Sequence, residues 1–298
     1  MARKQRERVG PGGAGVGYQG EPGAFSEEAV LLVFPGARAE PTRTFREIFE
    51  AVEAGRLDFG VVPLENSQGG SIADTYDLLA NGAVTIVGEV VVRVDHALLG
   101  VPGARVQDVR RVLSHPQALT QCDEFLAGLG VEVIPMYDTA GAAKHVAEDG
   151  RPDQAAVAAE RAAGVYGLEV LARRIQTHPD NRTRFAVIAR AGDAETASGA
   201  PAVPARPLGK PDKTTIVFGT PHVPGALVRC LSIFAFRGLN LAKIESRPLG
   251  DRPWEYRFYL DVEAGADDEP LREALGELAR VATDLRVLGS YPRWRGVP

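Results

Sequence analysis

Cysteines, paired histidines and long apolar runs are scarce in this chain of 298 residues, and each shortage argues against a class of protein. Only Cys122 and Cys230 are present, far apart, which argues against a disulfide framework and favours a reducing compartment, so we expect a cytoplasmic protein. The histidines lack the spacing of a zinc site, and we expect no metal. No run approaches the roughly 18 apolar residues of a membrane span, so no membrane partner is expected.

Positive charge is also limited. The net charge is -5, and lysines and arginines form no basic stripe, so a nucleic acid partner is not expected. Residues 1–8 are basic but are followed by a glycine-rich segment and not by an apolar one, which is unlike a secretory signal. We predict a flexible N-terminus over residues 1–14. An acidic ligand would have to be held by local geometry.

The chain is long enough for two or three globular domains. Residues 191–212 are rich in Ala, Gly and Pro and indicate an interdomain linker. Between residues 15 and 190, short apolar strands alternate with helical patterns, which is typical of an α/β protein. One helix is well marked over residues 44–55, with Thr44 and Glu47 as a capping box. Residues 213–293 follow the order βαββαβ, which predicts a ferredoxin-like domain.

Three polar clusters interrupt the apolar strands of the first region. They are Glu65, Asn66 and Ser67 with Gly69 and Gly70; Ser114, His115 and Gln117; and Thr183, Arg184 and Phe185 after Asn181 and Arg182. Each lies where a strand meets a helix or returns from one, which is the usual place for ligand contacts in α/β sheets. Free N–H groups at such junctions suit an anionic ligand.

Each cluster also has a purely structural interpretation. The first could be a polar turn, since Gly, Asn and Ser are common turn residues. Ser114 could serve only as a helix cap, and Arg184 could mark the solvated end of a strand. In the second domain, the PGAL segment at 224–227 could simply be a favourable helix N-terminus, with Pro at the first helical position. The ESRP segment at 245–248 is harder to explain in this way, because Pro248 is unusual inside a strand.

Taken together, these segments resemble the prephenate dehydratase family with a C-terminal ACT domain. The resemblance rests on GYQGEPGAFSEEA at 17–29, VPLENSQGGS at 62–71, SHPQAL at 114–119, DNRTRF at 180–185, PGAL and ESRP, in the family's order from residue 16 to about 294. It implies a two-lobed catalytic region similar to type II periplasmic binding proteins, with the site in the cleft between the lobes and crossings near residues 85–95 and 175–185.

The resemblance also implies an activity. Enzymes of this family are carbon-oxygen lyases that convert prephenate to phenylpyruvate in L-phenylalanine biosynthesis. Carbon dioxide and hydroxide leave together, and because an aromatic ring is gained, no cofactor is expected. DTAGAA at 138–143 looks closer to plant arogenate dehydratases, which leaves arogenate open as the substrate. No chorismate mutase segment precedes the dehydratase region, so we expect the monofunctional form.

By position, the resemblance assigns roles to individual residues. Thr183 matches the family's catalytic threonine, which we expect to donate a hydrogen bond to the leaving hydroxyl, and His115 is a second candidate for the acid. Phe185 would form an apolar wall. The implied catalytic group is Thr183, Asn66, Gln117, Ser114, Glu65 and His115, and the implied substrate-binding group is Ser67, Arg184, Phe185, Gly69, Gly70 and Thr139.

The ACT resemblance implies feedback regulation by L-phenylalanine, bound at an interface between protomers of a homodimer or homotetramer. The implied binding residues are Pro224, Gly225, Ala226, Leu227, Asn240, Glu245 and Ser246. Two competing interpretations are a solute-binding receptor with the same two lobes and a non-enzymatic amino-acid-binding regulator. The missing secretion signal argues against the first, and the missing DNA-binding helix pair and basic patch argue against the second.

Overall fold

A computed structural model describes residues 13–192, 210–249 and 252–296 of the chain. The expected flexible N-terminus lies outside the described residues except at its last two positions. The expected linker also lies outside them except for residues 191–192 and 210–212.

The chain first builds an α/β lobe, which we call lobe 1. Its elements are β1 (Gly15–Gln19), α1 (Phe25–Val33), β2 (Arg38–Thr42), α2 (Phe45–Glu53), β3 (Phe59–Asn66), β4 (Gly70–Ser71), α3 (Ala73–Asn81) and β5 (Val84–Arg93). Helix α2 confirms the helix predicted from the capping box: the Thr44 side chain accepts a hydrogen bond from the Glu47 N–H at 3.2 Å. Its apolar face buries Ile48, Phe49 and Val52.

A second α/β lobe, lobe 2, follows. It contains β6 (His96–Gly100), β7 (Arg111–Ser114), α4 (Pro116–Gln121), α5 (Asp123–Leu129), β8 (Glu132–Pro135), α6 (Thr139–Asp149), β9 (Gln154–Ala159), α7 (Glu160–Tyr166) and β10 (Glu169–Arg173). The chain then returns to lobe 1 as β11 (Arg182–Arg190). The sheet of lobe 1 has the order β2-β1-β3-β11-β5, with β4 paired to β3, and the sheet of lobe 2 has the order β10-β6-β9-β7-β8.

The two lobes are joined by two adjacent crossings, at residues 94–95 and 174–181. These segments are hydrogen-bonded to each other: the Val94 N–H donates to the Asn181 carbonyl at 2.8 Å, and the His96 N–H donates to Gln176 Oε1 at 3.0 Å. Strands β5 and β11 themselves pair side by side within lobe 1. The predicted two-lobed architecture is therefore confirmed, and the crossings bring the end of β5 and the start of β11 to the cleft between the lobes.

The C-terminal domain has the predicted order βαββαβ, with β12 (Lys213–Gly219), α8 (Ala226–Ala235), β13 (Leu241–Leu249), β14 (Arg252–Val262), α9 (Glu269–Val281) and β15 (Thr283–Tyr291). Its sheet has the order β13-β14-β12-β15. Both helices cover one face, where Ile216 and Phe218 pack against Phe234 and Leu271.

The other face of this sheet packs directly on lobe 1. Val217, Tyr259, Leu288 and Tyr291 share one apolar core with lobe 1 side chains that include Ile48, Phe49, Tyr76, Leu79 and Ile86. Thr85 Oγ1 on β5 donates to the Leu288 carbonyl on β15 at 3.0 Å. The C-terminal domain is therefore docked on the catalytic region through a continuous core.

Candidate active site

A cavity of about 350 Å³ lies between the lobes, where strand ends of lobe 1 face helix starts of lobe 2. Six of the residues predicted from the sequence line it, namely Asn66, His115, Gln117, Thr139, Thr183 and Phe185. No lysine or arginine lines this cavity in the part of the chain that the structure describes. An anionic ligand would therefore be held by amides, hydroxyls and backbone N–H groups.

Asn66, the last residue of β3, is the centre of the site. Its Oδ1 accepts hydrogen bonds from the backbone N–H groups of Gln68 at 3.0 Å and Gly69 at 2.8 Å, which holds the loop after β3 in a tight turn. Its Nδ2 donates to Thr183 Oγ1 at 2.9 Å and to Asn181 Oδ1 at 2.7 Å. The Thr183 oxygen thus accepts a hydrogen bond from Asn66, and because its own proton has no acceptor among the described residues, that proton can point into the cleft.

Gln117 reaches across the cleft from α4 of lobe 2. A Cβ atom placed on Gly69 would lie only 1.8 Å from Gln117 Nε2, so the Gln117 side chain occupies the space that a larger residue at position 69 would fill. His115 caps the same helix, since its Nδ1 accepts from the Gln117 N–H at 3.2 Å. Gly69 and Gln117 are therefore contact points between the two lobes.

Helix α6 presents its N-terminus to the same cleft. Thr139 is its first residue, and the preceding Asp138 caps it by accepting from the Gly141 N–H at 2.7 Å. The other oxygen of Asp138 accepts from the Glu21 N–H of lobe 1 at 3.0 Å, so this carboxylate also bridges the lobes. Burial raises the pKa of Asp138, although the backbone N–H groups around it act in the opposite direction.

Ser114 does not line the cleft. Its Oγ is buried and donates to the Val157 carbonyl of the neighbouring strand β9 at 2.6 Å. The helix-capping role considered for Ser114 belongs instead to His115, one residue later. Ser67 likewise has a partner within the protein, because its Oγ accepts a hydrogen bond from the Arg182 N–H at 2.9 Å. This bond ties the loop after β3 to the start of β11. Gly70 takes a positive φ of 76° at the start of β4.

Glu65 and Arg184 also lie outside the cleft, which corrects the roles expected for them. Neighbouring residues of a strand point to opposite faces of the sheet, so Asn66 and Thr183 face the cleft while Glu65 and Arg184 face the C-terminal domain. Arg184 Nε donates to Glu65 Oε1 at 2.8 Å, and its Nη1 lies 3.2 Å from Glu89 Oε2 and 2.7 Å from Asp261 Oδ2 of β14.

This ionic cluster is buried between the domains. Lys213 pairs with Glu89 at 2.8 Å and Lys243 pairs with Glu65, so two strands of the C-terminal domain supply cations to lobe 1. Burial alone would raise the pKa of Glu65, but Arg184 and Lys243 outweigh it and hold that pKa below its usual value.

Two family models match the chain, one described as prephenate dehydratase over residues 16–193 and one described as ACT domain over residues 214–280. The first covers more than half of the chain. This chain belongs to the prephenate dehydratase family. It is an enzyme of that family with a C-terminal ACT domain, and the two-lobed fold with a shared cleft agrees with this assignment.

Individual relatives extend over almost the whole chain. Arogenate dehydratase/prephenate dehydratase 2 of Arabidopsis thaliana is 46% identical over 286 residues, which cover 93% of this chain and 72% of the relative. The prephenate dehydratase of Arthrobacter aurescens, solved in complex with L-Phe, is 36% identical with a TM-score of 0.82 over 93% of this chain and 90% of that chain. GqqA, described as a novel type of quorum quenching acylase, is also 36% identical, with a TM-score of 0.83 over 94% of this chain and 98% of its own.

In this prephenate dehydratase family member, several cleft residues were not predicted as site residues. His96 at the start of β6 is only 2% exposed and lines the cleft, with its Nε2 2.9 Å from Gln121 Oε1. Burial lowers the pKa of His96. Gln121 follows Gln117 by four residues, and that spacing on one helix face was a usable signal. His96 has no comparable local signal, because only the folded crossing brings it beside Gln121.

The ACT domain contains a second cavity, of about 240 Å³. Gly225, Ala226 and Leu227 line it together with Trp254, Tyr256 and Phe258 of β14. Pro224, Asn240, Glu245 and Ser246 do not line it. Gly225 adopts a φ of 77° directly before α8, which begins at Ala226 within the PGAL segment.

Glu245 lies elsewhere for the same geometric reason as Arg184. On β13 it points to lobe 1, where its carboxylate accepts a hydrogen bond from Ser71 Oγ, whereas Ser246 is on the other face and exposed. Asn240 Nδ2 donates to Glu263 Oε2 at 2.8 Å. The expected role of Glu245 in a phenylalanine pocket is therefore not supported by its position in this chain.

Within the described ranges, no group of three or more His, Cys, Asp or Glu side chains could hold a metal ion. No helix in those ranges is long and apolar enough to cross a membrane.

Proposed function

We propose that this protein is a prephenate dehydratase, which converts prephenate to phenylpyruvate with loss of carbon dioxide and water in L-phenylalanine biosynthesis. The observation that carries the proposal is the hydrogen bond from Asn66 Nδ2 to Thr183 Oγ1, which directs the Thr183 proton into a cleft flanked by Phe185 and Gln117. A donor held in this way suits a leaving group on which negative charge develops.

The expected reaction requires mainly that the protein hold the substrate in place and direct hydrogen-bond donors at its leaving hydroxyl. As the ring carboxylate leaves as carbon dioxide, the electron pair of the broken C–C bond enters the ring, and the C–O bond to the hydroxyl breaks. The hydroxide that departs is stabilised by the Thr183 hydrogen bond and becomes water on gaining a proton, for which His115 is a candidate donor. The N-terminus of α6 and the Gln117 amide are suited to the carboxylates, and the Phe185 ring to the apolar face of the substrate.

The Thr183 assignment is tested by substitution. We expect Thr183→Ala to lower kcat for prephenate roughly a hundredfold while KM changes little, because one preorganised donor acts mainly on the transition state. Thr183→Ser, which keeps the hydroxyl, should retain most of the activity. Formation of phenylpyruvate is followed by its absorbance. If Thr183→Ala kept the wild-type kcat, the assignment would be wrong.

Arogenate is a second candidate substrate, because relatives that match nearly all of this chain carry arogenate dehydratase in their names. Arogenate places an ammonium where prephenate has a keto group. The experiment compares kcat/KM for the two substrates with the same enzyme preparation. A higher kcat/KM for arogenate would make that compound the preferred substrate, and turnover of neither compound would refute the proposed function.

We further propose that L-phenylalanine binds the ACT cavity and regulates the enzyme, that the protein is a homodimer or homotetramer, and that it works in the cytoplasm. The aromatic residues around Leu227 support an aromatic ligand, and a solved relative was crystallised with L-Phe. The proposal predicts that L-phenylalanine binds in calorimetry and that Leu227→Ala weakens this binding. Light scattering with and without L-phenylalanine would give the number of subunits.

A further inference from the structure

A chain of hydrogen bonds connects Thr183 with buried side chains of both lobes. It runs from Thr183 through Asn66 and Asn181 to Gln121 on α4, and from Gln121 to His96. We infer that Gln121 and His96 are positioning residues of this enzyme, which hold the Asn66 amide in the one orientation that leaves the Thr183 proton available to the substrate. This inference rests on the proposed function of Thr183.

The oxygen and nitrogen of the Asn66 amide can be told apart from the backbone groups that they contact, because each of those groups can only donate or only accept. The Gln68 and Gly69 N–H groups can only donate, so the atom that they contact must be Oδ1. The Arg182 carbonyl can only accept, and it lies 3.2 Å from the other end of the amide, which must therefore be Nδ2. The Thr183 oxygen, 2.9 Å from Nδ2, is thus an acceptor in this contact.

The donor and acceptor atoms of the other three side chains can then be assigned one after another. Asn181 Oδ1 accepts from Asn66 Nδ2, so Asn181 Nδ2 is the atom that donates to Gln121 Oε1 at 2.9 Å. Gln121 Nε2 then faces Asn66 Oδ1 at 3.3 Å and donates to it. Because Gln121 Oε1 is an acceptor, His96 Nε2, at 2.9 Å, must carry a proton.

His96 is well suited to this role because it is held firmly. The residue is 2% exposed, and its ring meets Phe25 edge to face, with the ring centroids 5.6 Å apart. Its Nδ1 is buried and has no hydrogen-bond partner among the described residues, so the arrangement fits a neutral ring protonated on Nε2. Since His96 and Gln121 belong to lobe 2 and Asn66 to lobe 1, the chain of bonds links the reactive threonine to closure of the lobes.

Substitution of Gln121 tests the inference through kinetics. Gln121→Met keeps the size of the side chain but removes its hydrogen bonds, and we expect kcat to fall about tenfold with little change in KM. In a Thr183→Ala background the same change should cause no further fall, because Gln121 acts through Thr183. Gln154→Met is the matched control, since Gln154 is buried at the far end of β9 in the same lobe, and it should leave kcat unchanged.

A second pair of variants tests His96. His96→Gln can present an N–H donor near the position of Nε2 and should recover much of the kcat that His96→Leu loses. If His96 had a purely structural role, the loss of kcat in each variant would instead follow its loss of folding stability. Equal losses of kcat from Gln121→Met in the wild-type and Thr183→Ala backgrounds would also overturn the inference.

The protonation of His96 can be measured without any substrate. In the protein labelled with 15N-histidine, the His96 signals, identified by their loss in His96→Gln, should be those of a neutral ring protonated on Nε2. A ring protonated on Nδ1 would refute the assigned chain of bonds. This result is independent of turnover, so failure of the hydrogen-bond chain can be told apart from failure of the proposed function, which would appear as wild-type protein inactive on both prephenate and arogenate.

Discussion

Gly69 and Gln117 show how closely the two lobes approach at the candidate active site. Gly69 does not adopt a positive φ, so its backbone conformation is open to any residue. Glycine is needed there for space, because a Cβ atom would meet Gln117 Nε2 at 1.8 Å and Gln117 Cδ at 2.9 Å. A side chain at position 69 would force Gln117 out of the cleft.

We therefore expect Gly69→Ala to lower kcat/KM roughly a hundredfold, as small displacements of positioning groups do. Steady-state assays of Gly69→Ala, Gln117→Ala and the double variant form a cycle, in which the double variant should be no worse than Gln117→Ala alone. Gly164→Ala is the control, because Gly164 in α7 has open space around it. Independent, multiplicative losses would show that Gly69 acts on something other than Gln117.

Strand β11 carries the candidate active site on one face and a domain interface on the other. Thr183 and Phe185 line the cleft, and Arg184 between them joins the ionic cluster with Glu89 and Asp261. The side chain of Arg184 is 10% exposed. Burial alone would lower the pKa of Arg184, but the facing Asp261 and Glu65 carboxylates hold it above its ordinary value.

Local patterns predicted much of this architecture and missed the direction of these side chains. Helix α2 and the βαββαβ order were predictable because caps and apolar periodicity are properties of adjacent residues. The motif around Thr183 identified the strand, and its alternation implied that Arg184 and Thr183 face opposite sides. Which face of the strand lines the cleft depends on where the C-terminal domain docks, and that domain lies some 75 residues later in the sequence. Asp261, the partner of Arg184, belongs to it.

Loss of Arg184 should therefore affect stability more than substrate binding. Arg184→Ala removes the cation that faces the buried carboxylate of Asp261 and leaves Glu89 with Lys213 alone, and we expect the free energy of unfolding to fall by about 3–5 kcal/mol. Urea unfolding measures this change. Arg182→Ala is the control, because Arg182 pairs with Asp180 in an exposed position and should cost less than about 1 kcal/mol. A stable Arg184→Ala protein with a greatly increased KM would instead support the substrate-binding role expected from the motif.

The ACT domain and lobe 1 behave as one packed body in this structure, because the core and the ionic cluster are continuous across their boundary. The ionic cluster touches β3 and β11 one residue away from Asn66 and Thr183. A ligand that favours one position of the ACT sheet over another can thereby change the geometry of the site. This route requires that the domains stay in close contact.

Gly289 makes that contact testable. It lies on β15 directly against β5, and a Cβ atom at this position would be 2.2 Å from the carbonyl oxygen of Ile86. Backbone cannot yield as a flexible side chain can, so Gly289→Ala should push the sheets apart and lower the free energy of unfolding by roughly 1–3 kcal/mol. The response of kcat to L-phenylalanine, which we propose as the effector, should weaken at the same time.

The matched control is Gly276→Ala, since Gly276 is exposed in the middle of α9 with no atom within 4 Å of its added Cβ. Alanine is the better helix former, so this variant should be as stable as the wild type or gain up to about 1 kcal/mol, and its response to L-phenylalanine should be unaltered. Urea unfolding and inhibition curves are recorded for both variants. If Gly289→Ala matched Gly276→Ala in both measurements, close packing of β15 on β5 would not be what couples the two domains.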